Sequence, residues 1–364
     1  MLNCKCGCAG GLSTTRESGM ILSDKGSRLQ RTPARNIICC AALALSCRAS
    51  DPAESRASQQ AAVVSCTEQL WAVPTGNWDY LADVSGDGKS DAISRGGGGD
   101  IHFSESTGTS FISWNGLVDW LASYSYQLAD VSGDGKADII GIGPGGDIMV
   151  SLSTGSYFES GTVWNYWDTQ YDYQFADVND DGKADIIGVG PNTDIMVALS
   201  TGSSFGSGSV WAYWSPSYDH HFADVDGDGK ADAIGVSGTN VVVALSNGTG
   251  FVGPALTWTN WSDGYTHRFL DTNADLKSDL IGVSALNQVL IADSTGSSFA
   301  APHPWGSVNH AGSPGCQAGA SGNQGGASGV DFADVNGDGK LDMLTRPTVN
   351  GGGTGSFTSV QLGE

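Results

Sequence analysis

The chain has 364 residues, with 39 acidic against 17 basic side chains and a formal net charge of −22. That balance excludes a nucleic-acid binder, which carries basic patches, and gives an anionic ligand few cationic partners. The 53 glycines, with no amphipathic helical period anywhere in residues 66–364, exclude a helical bundle and point to turn-dense all-β architecture.

Residues 1–65 differ from the rest. They hold six of the eight cysteines, eight of the basic residues and no aromatic residue. Arg28, Arg31 and Arg35 precede the apolar run Ile37–Leu45. That run is far short of the roughly 20 residues of a membrane span but fits the core of a secretory signal. Ala44-Leu45-Ser46-Cys47 looks like a bacterial lipoprotein box, so residues 1–47 read as an export signal with Cys47 as the lipidated residue. Ordinary cleavage near Ala49 is the alternative and gives a freely secreted protein. Either way the expected location is extracellular or at the cell surface, including an outer-membrane lipoprotein, with membrane contact only through a lipid anchor. Residues 48–65, rich in Ser, Ala and Gln, read as a flexible tether.

Cys66–Val73 is strand-like and has no repeat of its own. After it, one acidic loop recurs six times, starting at residues 83, 130, 177, 224, 271 and 334. In each, loop positions 1, 3, 5 and 9 carry oxygen-bearing side chains and position 7 offers its carbonyl. The candidate ligands of the first three loops are Asp83, Ser85, Asp87, Lys89 and Asp91, then Asp130, Ser132, Asp134, Lys136 and Asp138, then Asp177, Asn179, Asp181, Lys183 and Asp185. The last three offer Asp224, Asp226, Asp228, Lys230 and Asp232, then Asp271, Asn273, Asp275, Lys277 and Asp279, then Asp334, Asn336, Asp338, Lys340 and Asp342. An all-oxygen set of this kind suits calcium, which takes 6–8 oxygen ligands, and the expectation is about six ions. Gly at position 6 permits the turn in five copies, and Leu276 replaces it in the fifth. No acid stands at position 12, where an EF-hand needs a Glu, so a strand–loop–strand site is favoured. A set of metal-free Asp/Gly turns is the alternative, weakened by six repetitions of one spacing.

The first five loops are 47 residues apart and the last step is 63. Periods of about 40–50 residues with several short strands point to propeller blades. One repeat reads as strands at Tyr171–Asp177, Ala184–Val189 and Asp194–Leu199, a tight turn from Ser200, and a fourth strand from Phe205 and Val210–Trp211. The expected fold is an all-β propeller of four-stranded blades over residues 66–364. Six blades are favoured, and seven arise only if one blade lacks a metal loop. The last repeat lacks a fourth strand, and Cys66–Val73 supplies it, closing the ring and hiding two sheet edges. Cys66 and Cys316 meet at that seam and are expected to form a disulfide.

The aromatic residues also keep a phase. Trp120, Trp167, Trp214 and Trp261 stand ten residues before a loop, and Tyr124, Tyr171, Tyr218 and Tyr265 stand six before. Trp164, Trp211 and Trp258 stand thirteen before. Both Trp sets fall where one blade crosses to the next. A crossover with paired Trp and Tyr resembles a sugar-stacking platform, with blade-to-blade packing as the alternative. One Trp set is expected to pack and the other to be exposed. The polar residues just before the loops vary: Tyr126 and Gln127, Tyr173 and Gln174, His220 and His221, His267 and Arg268. They tune ligand contacts or reflect solvent exposure.

On these loops the chain resembles the FG-GAP/VCBS repeat family, calcium-loop propellers similar to the integrin α-subunit head, over about residues 68–364. The family's Phe-Gly element is literal only at Phe205-Gly206, while Phe111, Phe158, Phe251 and Phe299 keep the Phe. The repeated pattern is also similar to microbial propeller lectins, and that resemblance implies sugar sites between blades. The leading function is therefore a calcium-stabilised, exported, carbohydrate-binding propeller whose partner is a glycan or glycoconjugate. A protein-binding adhesion or scaffold propeller is the second reading. A propeller enzyme acting on polysaccharide is the third; its one aperiodic candidate is His303–Val330, with His303 and His310 and no nearby acid before Asp331. A near-periodic chain lacks the unique constellation an enzyme needs, so no catalytic residue is assigned.

Overall fold

The computed structural model describes residues 68–361 except 74–77, 96–98, 114–117, 120–122, 216, 254, 263, 286–287, 306–329 and 346–355. Residues 61–364 form one compact unit. The expected signal, the tether, Cys47, Cys66, Cys316, Trp120 and His310 lie outside the described residues.

Every described element is a β-strand, and the strands form four-stranded antiparallel blades of a propeller. β1 (Glu68–Val73) comes first. β2 (Tyr80–Ala82), β3 (Asp91–Arg95), β4 (Asp100–Ser106) and β5 (Phe111–Ser113) form one sheet, with the short β6 (Val118–Asp119) also on β4. β7 (Ser125–Ala129), β8 (Asp138–Ile142), β9 (Asp147–Ser151) and β10 (Thr162–Tyr166) form the next. β11 (Asp172–Ala176), β12 (Asp185–Val189), β13 (Asp194–Ala198) and β14 (Ser209–Tyr213) follow, then β15 (Asp219–Ala223), β16 (Asp232–Ser237), β17 (Asn240–Ala244) and β18 (Leu256–Asn260). β19 (Tyr265–Leu270), β20 (Asp279–Ser284), β21 (Val289–Ala292) and β22 (His303–Pro304) make a fifth sheet. The remaining sheet joins the first and last described strands in the order β1, β25 (Ser356–Gln361), β24 (Asp342–Thr345), β23 (Val330–Ala333). β1 runs antiparallel to β25 from Glu68 opposite Gln361 to Val73 opposite Ser356.

The sequence pattern explains the layering. The second strand of each blade is covered on both faces by neighbouring blades, so it is apolar without alternation: Ile139-Ile140, Ile186-Ile187 and Leu280-Ile281 are all fully buried. The third strand alternates, with Ile195 and Val197 buried and Met196 half-buried between them. Apolar clusters fill the seams. One joins Val131, Ile140 and Ile148 to Ile186 and Phe205; another joins Ile281 and Val283 to Phe332 and Met343. A third joins Trp71 of β1, Leu344 of β24 and Val335 of the last acidic loop to Ala92 and Phe111.

The outer strands carry a repeated irregularity. Pairing skips one residue at Trp164 in β10, at Trp211 in β14 and at Trp258 in β18. Such a bulge re-aims the side chain. Each indole meets a Phe of the following blade: Trp164 with Phe205 at 5.4 Å, Trp211 with Phe251 and Trp258 with Phe299 at 5.5 Å. Trp71 of β1 meets Phe111 at the same 5.5 Å. This set therefore lies within the outer strands and packs, rather than standing in the crossover as expected. Phe205 is also not part of a fourth strand. It forms an isolated bridge with Ser200, and β14 starts at Ser209 because the Phe is needed between blades.

Candidate functional site

Each acidic loop leaves the inner strand and enters the second strand of its blade. Its first Asp organises the turn: Gly133 N–H donates to Asp130 Oδ1 at 2.6 Å and Gly135 N–H to Asp130 Oδ2 at 2.7 Å. The same pair of bonds recurs at Asp83, Asp224 and Asp334. Two positions take left-handed backbone. Position 6 is the one the sequence suggests. Position 4 is the other, at φ of about 80° in the four glycine copies and 61° at Asp180 and Ala274.

The ninth position is more than a loop ligand. Asp138 is fully buried and accepts from Val131 N–H, Ser132 N–H and, at 2.8 Å, Ser153 N–H. Ser153 in turn donates its hydroxyl to the Val84 carbonyl of the preceding loop at 2.6 Å. Ser200, Ser246 and Ser294 repeat this link to Val131, Val178 and Val225. The backbone adds a second link, as Ala137 N–H donates to the Asp83 carbonyl and Ala184 N–H to the Asp130 carbonyl, each at 2.7 Å. Ser90 N–H does the same to Asp334, joining the first loop to the last. The loops are thus staples between blades, a role that the sequence hides.

Burial pushes the ninth carboxyls up, helped by neighbouring carboxylates: Asp91 and Asp138 to about 6, Asp185 and Asp232 to about 7. In the fourth loop Asp224, Asp226 and Asp232 offer carboxylate oxygens that all lie within 4.8 Å of one another. Burial and the adjacent Asp228 and Asp224 also raise the Asp226 carboxyl. Like charges held together in a partly buried, all-oxygen cluster fit a hard divalent cation. The lysines at position 7 partly answer the same charge. Lys136 pairs with Asp134 at 2.5 Å, Lys183 with Asp181 at 3.1 Å, Lys230 with Asp228 at 2.5 Å and Lys277 with Asp275 at 2.9 Å. Lys89 pairs with Asp87 in the same way.

Leu276 keeps the fifth loop's turn at a cost. Its N–H still bonds Asp271 Oδ2 at 2.8 Å, but its φ is 67° and its side chain is 77 % exposed. A side chain in left-handed backbone is strained by roughly 1–2 kcal/mol. Leu276→Gly is therefore expected to stabilise the protein by about 1 kcal/mol, after the entropy that Gly adds to the unfolded chain. A urea midpoint that falls, or stays put, contradicts this.

The crossover aromatics part company. The indoles of Trp167, Trp214 and Trp261 lie on Gly188, Gly235 and Gly282, where a Cβ would come within 2.7, 3.0 and 2.6 Å of the ring. Trp261 is only 2 % exposed, so it packs and offers no platform, which corrects the expectation for that residue. Trp167 and Trp214 are half-buried. Tyr124 and Tyr171 donate their hydroxyls to Asp147 and Asp194, while Tyr265 stacks edge-on against Trp261. At Trp214 a cleft of about 310 Å³ opens, lined by Tyr213, Trp214, Ser215, Tyr218, Val242, Gly253 and Ala255. It spans the end of one blade and the outer half of the next. Tyr213, 72 % exposed at its edge, was not singled out by the sequence pattern.

The variable polar positions are structural. Tyr126, Tyr173, His220 and His267 are buried rather than solvent-facing. Gln127 donates to the Tyr173 carbonyl at 2.6 Å and Gln174 to the His220 carbonyl at 2.7 Å, tying inner strands together. His303 has an acid beside it after all: Asp293 lies 3.2 Å away, brought there by the turn out of β21.

Residues 177–235 match the model of the FG-GAP-like repeat, and with the propeller fold this is consistent with the FG-GAP propeller family. No curated protein matches the chain. Among solved structures, the chain is similar to an Agrocybe aegerita lectin described for specific recognition of non-reducing terminal N-acetylglucosamine. The identity is 22 %, the TM-score 0.54, and the match covers 82 % of this chain and 81 % of that one. It is also similar to part of the Photorhabdus luminescens Tc holotoxin pore, at 19 % identity and a TM-score of 0.57, covering 80 % of this chain and 14 % of that one. At such identities the likeness speaks to the fold.

Proposed function

We propose that this protein is an exported, calcium-stabilised, six-bladed propeller that binds carbohydrate between blades, with β1 closing the ring. The cleft at Trp214 carries the reading. A half-buried indole, two tyrosines and a serine hydroxyl border a space at the lower end of the size of ligand pockets, which are roughly 300–1,000 Å³. An indole face suits the C–H face of a pyranose, and Ser215 and Tyr218 offer hydroxyls for its rim. The chemistry of the loops supports calcium, held by side chains at positions 1, 3, 5 and 9 and the position-7 carbonyl. Calcium supplies positive charge that offsets the buried carboxylates. The same staples then hold neighbouring blades in register.

The lectin from Agrocybe supplies the first sugar to try. Titration of the full chain with N-acetylglucosamine, and with a panel of neutral monosaccharides, tests the reading. Trp214→Ala is expected to remove binding while the fold persists, since this indole is half-buried, packs only at the edge of an apolar cluster and borders the cleft. Unchanged binding in that variant contradicts the assignment. The accompanying proposals are export with Cys47 lipidated or the chain freely secreted, and a Cys66–Cys316 disulfide.

A further inference from the structure

The crossovers at Trp167, Trp214 and Trp261 share one plan but differ, among other places, at one position of the third strand. Across the ladder from the glycine under each indole, the third strand places Met196 opposite Gly188, Val242 opposite Gly235 and Leu290 opposite Gly282. At Trp167 the methionine fills the space. A Cβ on Gly208 would come within 3.0 Å of Trp167 Cζ2 and 3.1 Å of Met196 Cε, so both side chains border the same spot. Tyr171 is held in the same corner, its hydroxyl donated to Asp194 and 3.2 Å from Met196 Sδ. At Trp261 the indole is buried outright.

At Trp214 three changes coincide. Val242 is shorter than Met196. Asn240 stands where Asp194 stands in the preceding blade, opposite the end of the outer strand, and the Tyr218 hydroxyl makes no hydrogen bond among the described residues. The turn between Phe251 and β18 is also one residue longer than that between Phe205 and β14, counted from Phe to the bulged Trp. The cleft of about 310 Å³ lies at this crossover, with Val242 and the turn residues Gly253 and Ala255 in its lining and no charged side chain among them.

We propose that Val242 is the residue that opens a sugar site at Trp214, and that the Trp167 and Trp261 crossovers are closed to ligand. The occupant is a neutral pyranose unit, since the cleft lacks a cation for an acidic sugar and the chain is strongly anionic. This rests on the carbohydrate reading above and narrows the repeated sites between blades, which the lectin resemblance implied, to one at these three crossovers.

The test uses the full calcium-loaded chain and a neutral sugar that the wild type binds. Val242→Met is expected to weaken binding at least 10-fold with little change in Tm. The double variant Met196→Val/Asp194→Asn, which carries the two side-chain features of the Trp214 crossover to Trp167 and leaves the turn length as it is, is expected to raise the stoichiometry by one. Wild-type affinity in Val242→Met, or unchanged stoichiometry in the folded double variant, overturns the role of Val242 while leaving sugar binding in place. Binding to no neutral sugar by wild type and double variant alike overturns the carbohydrate reading itself.

Discussion

On the proposed calcium reading, EGTA is expected to lower the Tm of the folded chain by more than about 10 °C. A cation that binds only the native state stabilises it by about 2.7 kcal/mol per site at a free concentration 100-fold above Kd. A domain of this size loses roughly 2–4 °C per kcal/mol, so several sites together exceed that shift. The staples give the effect its reach. Asp138 bonds Ser153, and Ser153 bonds the Val84 carbonyl of the preceding loop, so an empty loop loosens a seam as well as itself. Magnesium at the same concentration is expected to restore less, because it demands near-ideal octahedral geometry. Circular-dichroism melts in calcium, in EGTA and in EGTA with excess magnesium make the comparison. Equal midpoints in calcium and EGTA contradict the role of the loops.

Trp258→Ala destabilises the protein by about 3–5 kcal/mol, as large-to-small changes in a filled core do. Trp258 is the bulge residue of β18, is nearly buried, and packs at 5.5 Å on Phe299 in a cluster with Val241, Val243 and Leu280. Trp214→Ala, at the edge of an open cleft, is expected to cost less than about 2 kcal/mol. Urea unfolding of the two variants in calcium gives both numbers. Equal losses contradict the division of the indoles into a packing set and a cleft residue.

The acidic loops were legible in the sequence because they are local: nine consecutive residues carry the repeated carboxylates and the turn between two strands. The left-handed turn at position 4 was obscured, since Asp180 and Ala274 occupy it without announcing the conformation. The serine staples were invisible. Ser153 looks like an ordinary turn residue, and its two partners lie 15 and 69 residues away. The phase of the tryptophans separated two sets but not their fates. Whether an indole packs depends on a Phe in the next blade, 41 residues on for Trp164, and on a bulge that no propensity specifies. The cleft was missed for a different reason. Repetition was the signal being read, and the cleft arises where the repeat is broken, at Asn240, Val242 and the longer turn before Leu256.

The most direct test is a glycan array probed with the full calcium-loaded chain, with free sugar as competitor. The account predicts retention on glycans ending in a neutral sugar, release by that free monosaccharide, and loss of retention in Trp214→Ala. Retention on no glycan by a folded, calcium-loaded protein, or retention that free sugar does not displace, contradicts it.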